Sequence, residues 1–315
     1  MKIGFDAMGG DFAPDNEILG AIEAFPHLKP GSRIVLFGDK AKLESLIISY
    51  GSDLKNFDIV HCSEVIDMND HPAKVFLQKP DSSMARAFQS LAKGEIDGFA
   101  SPGNTGAMMA GVMYTVKPIE GITRPCISSP YPHINGKTGL LLDVGLNADC
   151  KPENLYQNAI LGSLYATGAF GIENPRVGLM NIGEEGSKGN LLTKTAYELM
   201  QDTKAFNFIG NIEGFDMMTG AKADVIVCDG FVGNILLKLS ESLYSIARGL
   251  GIDKDFFNRL NYETYGGTPV LGINASVIIG HGSSSPRALK NMILLTEKTI
   301  EAGMNKRVKD ALKEE

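Results

Sequence analysis

Short apolar runs alternate with segments of helical length and period along the whole chain. The runs are KIGFDA (2–7), RIVLFG (33–38), FDIVHC (57–62), DGFAS (97–101), GLLLDV (139–144), RVGLMNI (176–182), DVIVCD (224–229) and SVIIG (276–280). Near-continuous Val, Ile, Leu and Phe marks strands covered on both faces, and the stretches between them, such as 152–167 and 231–250, have the period of helices. This alternation predicts an α/β fold, a three-layer αβα sandwich around a mostly parallel sheet. No repeat, low-complexity tract or linker interrupts the 315 residues. One domain over 1–315 is expected, large enough to form two intertwined subdomains.

Composition narrows the partners. With 43% hydrophobic residues the chain can bury a large core, and a net charge of −7 argues against nucleic acid, whose binders need concentrated Lys and Arg. Cys62, Cys126, Cys150 and Cys228 form no CxxC pair and the first residues do not resemble a cleavable signal, so a reducing, cytoplasmic location is expected. No stretch approaches the ~18 consecutive apolar residues of a membrane span, so membrane contact is expected to be peripheral.

In parallel sheets ligands bind beyond the carboxyl ends of the strands. There this chain is rich in Gly: DAMGGDFAP (6–14), SPGNTGAMMA (101–110), NIGEEGSKGN (181–190), DGFVGN (229–234) and GHGSSS (280–285). Gly103 and Gly106 bracket Asn104 and Thr105 before a predicted helix running to about 116, which leaves unpaired backbone N–H groups for an anion. A helix end adds about half a positive charge, worth roughly 0.3–1 kcal/mol when exposed, so several donors must cooperate. GHGSSSPRALK repeats the design, with Gly282 and Ser283 ahead of a helix whose first turn holds Pro286 and Arg287.

Lys188, between Gly186 and Gly189, can neutralise phosphate or polarise a thioester carbonyl, and Glu184 and Glu185 share its loop. Asn234 follows Gly233 at the expected opening of a long helix, either as N-cap or as amide donor to a developing oxyanion. Asp6 and Asp11 flank Gly9 and Gly10; a carboxylate repels phosphate unless protonated or paired, so a structural or orienting role is expected of both. His281 is the one histidine in these loops, available as acid, base or donor. His27, His61, His71 and His133 show no ligand spacing, so no metal site is expected. A GxGxxG dinucleotide fingerprint and a GxSxG elbow are missing, and GKT at 136–138 follows Tyr131 where a P-loop requires Gly. No cofactor is expected.

The strings DAMGGDFAP (6–14), GNTGAMMAG (103–111), LLDVGLNAD (141–149), NIGEEGSKGN (181–190), GNIEGFD (210–216), DGFVGN (229–234), YGGTPVLGIN (265–274) and HGSS (281–284) together resemble the bacterial phosphate acyltransferases of phospholipid synthesis, also called acyl-ACP:phosphate transacylases. They occur in that family's order and approximate spacing. The resemblance implies a fold similar to isocitrate dehydrogenase and phosphotransacetylase, with two subdomains and usually a homodimer. It also implies transfer of a fatty acyl group from acyl carrier protein (ACP) to inorganic phosphate, with a membrane glycerol-3-phosphate acyltransferase downstream.

For that reaction Asp6, Gly9, Gly10, Gly103, Asn104, Thr105, Gly106, Glu184, His281, Gly282 and Ser283 are the candidate substrate-binding residues. Lys188 and Asn234 are the candidate catalytic pair. A phosphotransacetylase-like enzyme using a short acyl-CoA and a non-catalytic acyl-ACP-binding protein are the alternatives.

Releasing a long acyl chain into water costs ~0.8 kcal/mol per methylene, so handover at a membrane is expected. The segment 236–267 reads as a helical hairpin or tip with Leu250, Ile252, Phe256 and Phe257 at its turn; a dimer interface or ordinary core is the alternative. Arg248, Lys254 and Arg259 there, or Lys306, Arg307 and Lys309, are candidate docking cations for acidic ACP.

Overall fold

The computed structural model describes residues 1–72 and 74–314. Its strands are β1 (Lys2–Asp6), β2 (Arg33–Gly38), β3 (Phe57–His61), β4 (Gly98–Ser101), β5 (Cys126–Pro132), β6 (Thr138–Leu142), β7 (Arg176–Met180), β8 (Asn207–Ile212), β9 (Val225–Val227), β10 (Thr268–Leu271) and β11 (Ser276–Ile279). Its helices are α1 (Asp15–Ala24), α2 (Lys40–Ser49), α3 (Val75–Gln78), α4 (Ser83–Ala92), α5 (Thr105–Gly111), α6 (Pro152–Phe170), α7 (Leu191–Met200), α8 (Gly230–Gly249), α9 (Asp255–Asn258), α10 (Pro286–Glu301) and α11 (Met304–Glu314). The chain enters each of two compact units twice: Met1–Pro118 with Tyr262–Glu301, and Ile119–Asn261 with Ala302–Glu315.

In the first unit the strand order is β3-β2-β1-β4-β11-β10. Every described neighbour pair is parallel except β10 with β11, and Gly4 of β1 sits between Val35 and Phe99. Side chains alternate between two covered faces, as the pleat requires. Phe99 stacks edge-on against Phe88 of α4, 5.1 Å between centroids. Its neighbour Ala100 joins Ile3, Phe5, Ile18, Leu289 and Ile293 in the core beneath α1 and α10.

The second unit has the order β5-β6-β9-β7-β8, parallel apart from β5 with β6. Leu140, Leu141, Leu142, Val177, Leu179 and Ile226 fill its core with Leu155 and Leu161 of α6.

The expected α/β class with a mostly parallel sheet is the observed one, and the eight apolar runs all contain strands. Three further strands, β5, β8 and β10, lie outside them. CISSPYP carries two prolines and two serines, TPVL has Pro269 inside it, and β8 shifts register against β7 where Gly210 takes φ +91°. Parallel order has one functional consequence. The loops after β1, β4 and β11 leave one edge of the first unit's sheet, and those after β6, β9 and β7 leave one edge of the second's.

Candidate functional site

Asp6 ends β1 and is buried. Its carboxylate accepts the Ser101 hydroxyl at 2.7 Å and the Met8 N–H at 3.1 Å, while Ser101 Oγ accepts the Gly103 N–H at 3.0 Å. Burial pushes the Asp6 carboxyl up from its ordinary pKa, against the lowering pull of these hydrogen bonds. Asp6 therefore ties the loop after β1 to the loop after β4.

The loop after β11 is bound to the first by backbone. The Asp11 N–H donates to the Gly282 carbonyl at 2.8 Å, and the Asn16 amide donates to the Ser284 carbonyl at 3.1 Å. Gly10 has φ +101°, and a Cβ there would lie 2.8 Å from Glu17 Oε1, so only glycine fits this turn. Within the β11 loop, His281 Nδ1 meets Ser283 Oγ at 2.9 Å and the Ser284 hydroxyl donates to the His281 carbonyl at 2.6 Å. The His281 ring stands 5.4 Å from Tyr262.

Asn104 is occupied as a side chain. Its Oδ1 caps α5 through the Ala107 N–H at 3.0 Å, and its amide donates to the carbonyls of Asp67, Met68 and Asp70. What it leaves for a ligand is its backbone. Among the described residues, the N–H groups of Gly10, Asn104, Thr105, Gly106 and Gly282 have no intramolecular acceptor. Asp6, Gly9, Gly10, Gly103, Asn104, Thr105, Gly106, His281, Gly282 and Ser283 thus belong to three loops on neighbouring parallel strands.

Lys188, Glu184 and Asn234 belong to the second unit. Asp143, buried directly after β6, organises that edge: its carboxylate accepts the N–H groups of Gly145 (3.1 Å), Leu146 (3.0 Å) and Asn147 (2.8 Å) and the Asn147 amide (2.9 Å). The Asn234 amide donates to the Val144 carbonyl of this turn at 3.1 Å, which leaves its second amide proton for a ligand. Asn234 does not open α8. That helix begins at Gly230, capped by Asp229, whose carboxylate accepts the Val232 N–H at 2.9 Å. Gly233 lies so close to the Asp143 carbonyl that a Cβ would collide with it, and this contact fixes the first turn of α8 against the 143–147 loop.

Lys188 is exposed and its ammonium makes no ion pair among the described residues. Its loop is fastened instead through Glu184, which pairs with Lys222, itself 2.9 Å from Asp216. The Asn211 amide, donating to the Glu185 carbonyl at 2.9 Å, and the Asn181 amide, donating to the Lys188 carbonyl at 3.2 Å, complete the anchoring. Ser101, Asp143, Glu17 and Lys222 were not singled out from sequence. Ser101 and Asp143 are strand-end polar residues inside the quoted strings, a usable signal, whereas Lys222 lies 38 residues from Glu184 and gives none.

The four cysteines offer no activated nucleophile. Burial pushes the Cys62 thiol up to about 12 and the Cys150 thiol up to about 11, and raises Cys126 and Cys228 well above the ordinary value. No group of His, Cys, Asp and Glu among the described residues is arranged to hold a metal ion, and none of the described helices is long and apolar enough to cross a membrane.

Residues 1–253 match the family model described as "Fatty acid synthesis protein". Over 99% of its length the chain is 40% identical to the phosphate acyltransferase of Dictyoglomus turgidum, covering 98% of that protein. It is 41% identical, at the same two coverages, to the phosphate acyltransferase of Endomicrobium trichonymphae. The chain belongs to the phosphate acyltransferase family. It is therefore an acyltransferase of fatty acid and phospholipid synthesis. Solved structures agree on the fold: the EutD phosphotransacetylase from Staphylococcus aureus superposes with a TM-score of 0.64 at 16% identity, over 95% of this chain and 94% of that one. The branched-chain phosphotransacylase from Enterococcus faecalis gives 0.64 at 15% identity, over 95% and 99%.

Proposed function

We propose that this phosphate acyltransferase moves a fatty acyl group from acyl-ACP to inorganic phosphate, giving acyl phosphate and free ACP. The observation that carries the phosphate half is the set of unspent backbone N–H groups at Gly10, Asn104, Thr105, Gly106 and Gly282, brought to one sheet edge by β1, β4 and β11. A phosphate oxygen attacks the thioester carbonyl carbon; the C–O bond forms, the C–S bond breaks, and the phosphate proton leaves on the ACP thiol. Positioning supplies much of the acceleration, because phosphate at neutral pH is already an anionic nucleophile. With every thiol held protonated, no cysteine intermediate is required. Lys188 and the free amide proton of Asn234 stabilise the oxyanion of the tetrahedral intermediate.

The acyl chain is long. Around the loops that carry Lys188 and Asn234, Ile182, Leu191, Phe215, Phe231 and Ile235 are all exposed, two of them above 80%. Exposed apolar side chains on these loops suit a hydrocarbon chain and are of no use to a two-carbon donor. The phosphotransacetylase names of the structural neighbours favour the short acyl-CoA alternative, so the discriminating experiment compares palmitoyl-ACP with acetyl-CoA in a phosphate-dependent thiol-release assay. Release from palmitoyl-ACP alone supports the proposal, and release from acetyl-CoA alone removes it.

The product is passed on at a membrane to a glycerol-3-phosphate acyltransferase, and the chain works as a homodimer. Exposed Leu239, Ile246 and Leu250 extend the apolar face of α8 to its end, while Phe256 and Phe257 are half-buried against each other at 5.4 Å. Arg259 is spent on the carbonyls of Gly136 and Lys137, and Arg307 on that of Ala302. Arg248, Lys254, Lys306 and Lys309 remain as docking cations for ACP.

A further inference from the structure

Glu17 is a carboxyl group that the reaction as described does not use. It lies in the first turn of α1, where an acid is ordinary, yet it is 1% exposed. Its Oε1 sits directly under the Gly10 turn, 2.8 Å from where a Cβ would be, and its Oε2 is buried without a hydrogen-bond partner among the described residues. An ionised carboxylate in such a place carries an unpaired oxygen and a full desolvation cost, whereas a carboxylic acid is tolerated.

We propose that Glu17 is a positioning residue of the anion site: as a neutral carboxylic acid it forms the floor of the Gly10 turn, and phosphate is held by the neighbouring loop amides only while that acid keeps its proton. The proposal rests on the assignment of phosphate to the loops after β1, β4 and β11. The ionisable groups around Glu17 agree in sign. Asp6 at the end of β1, Asp11 in the turn and Asp15 in the same helix are all acids, and with burial as the larger cause they push the Glu17 carboxyl up to about 8. Asp15 is turned toward α2, where it accepts the Tyr50 hydroxyl at 2.8 Å. The helix α10, packed along α1, carries Arg287, Lys290 and the buried Glu297, which accepts the Lys29 N–H; the β11 loop carries His281. No ion pair to Glu17 arises from any of them among the described residues.

Ionising Glu17 would place another negative charge beneath the one turn that joins the β1 loop to Gly282, and both the turn and the bound anion would be repelled. A glutamine has the same shape and stays neutral.

The test is calorimetric titration of the full chain with sulfate, whose charge is constant across the range, and with inorganic phosphate, at pH 6.5, 7.5 and 9.0. Wild-type affinity for sulfate should fall about tenfold between pH 6.5 and 9.0, as expected for a group titrating near 8. Glu17→Gln should bind at pH 6.5 like wild type and change less than about twofold. A flat wild-type profile, or a Glu17→Gln profile that falls in parallel, overturns the role of Glu17 and leaves the phosphate assignment standing. Failure of both proteins to bind either anion at any pH overturns the phosphate assignment itself. If Glu17→Gln does not fold, Glu17→Met supplies the same neutral comparison.

Discussion

The Ser101 hydroxyl donates to the Asp6 carboxylate at 2.7 Å and accepts the Gly103 N–H at 3.0 Å. One buried hydroxyl therefore ties the loop after β1 to the loop after β4, the two loops to which the proposal assigns phosphate. Ser101→Ala leaves both the Gly103 N–H and an Asp6 oxygen short of a partner, a loss of about 1–3 kcal/mol. Urea unfolding should register that loss, and the KM for phosphate should rise while the KM for the acyl donor stays within about twofold.

Lys188→Ala and Asn234→Ala should each lose roughly 10²–10³-fold in kcat, the usual cost of one oxyanion donor. Far-UV circular dichroism of both variants should match wild type, because Lys188 is exposed and Asn234 makes one side-chain bond among the described residues, to Val144. Steady-state kinetics with saturating phosphate is the check. Wild-type turnover in both variants would remove them from the chemistry.

His133 makes the second unit sensitive to acid. Both ring nitrogens are buried without partners among the described residues, as is the neighbouring Tyr131 hydroxyl. Burial lowers the His133 pKa below its ordinary 6.5 despite the nearby Asp224. The unfolded chain then binds the proton more readily, so stability is full above about pH 6.5 and declines as pH falls below it. Urea melts at pH 7.5 and 5.5 should show this decline, and His133→Phe should reduce it.

Leu250 is 70% exposed at the end of α8. Leu250→Asp should lower co-flotation with anionic liposomes at least several-fold and leave turnover on micelle-free acyl-ACP unchanged. Phe256→Asp is instead expected to cost stability, since its half-buried ring packs on Phe257.

The fold class and the loop positions were legible because apolar runs and strand-end glycines are local signals. Of the three strands that escaped, β5 and β10 depend on neighbours to outweigh Pro130, Pro132 and Pro269, which no window of sequence expresses. Asn234 was misplaced at the helix opening because Gly233 looked like a turn residue. It is a helical glycine required by the Asp143 carbonyl, and Asp229 is the cap. Glu17 carries no signal in the sequence beyond that of an acid in the first turn of a helix, because the Gly10 turn above it is pinned to a loop more than 260 residues away in the chain. The Glu184–Lys222 pair is likewise long-range, so no local pattern shows that this candidate substrate residue also holds its own loop.

Acyl transfer to phosphate is tested most directly by incubating the full chain with palmitoyl-ACP and inorganic phosphate and trapping the product with hydroxylamine. Above the level that hydroxylamine draws directly from the thioester without enzyme, palmitoyl hydroxamate should form in proportion to free ACP thiol, only when phosphate is present, and should fall to that level with Lys188→Ala. Enzyme-dependent thiol release without added hydroxamate, or an enzyme-dependent hydroxamate increment independent of phosphate, would contradict phosphate as the acyl acceptor.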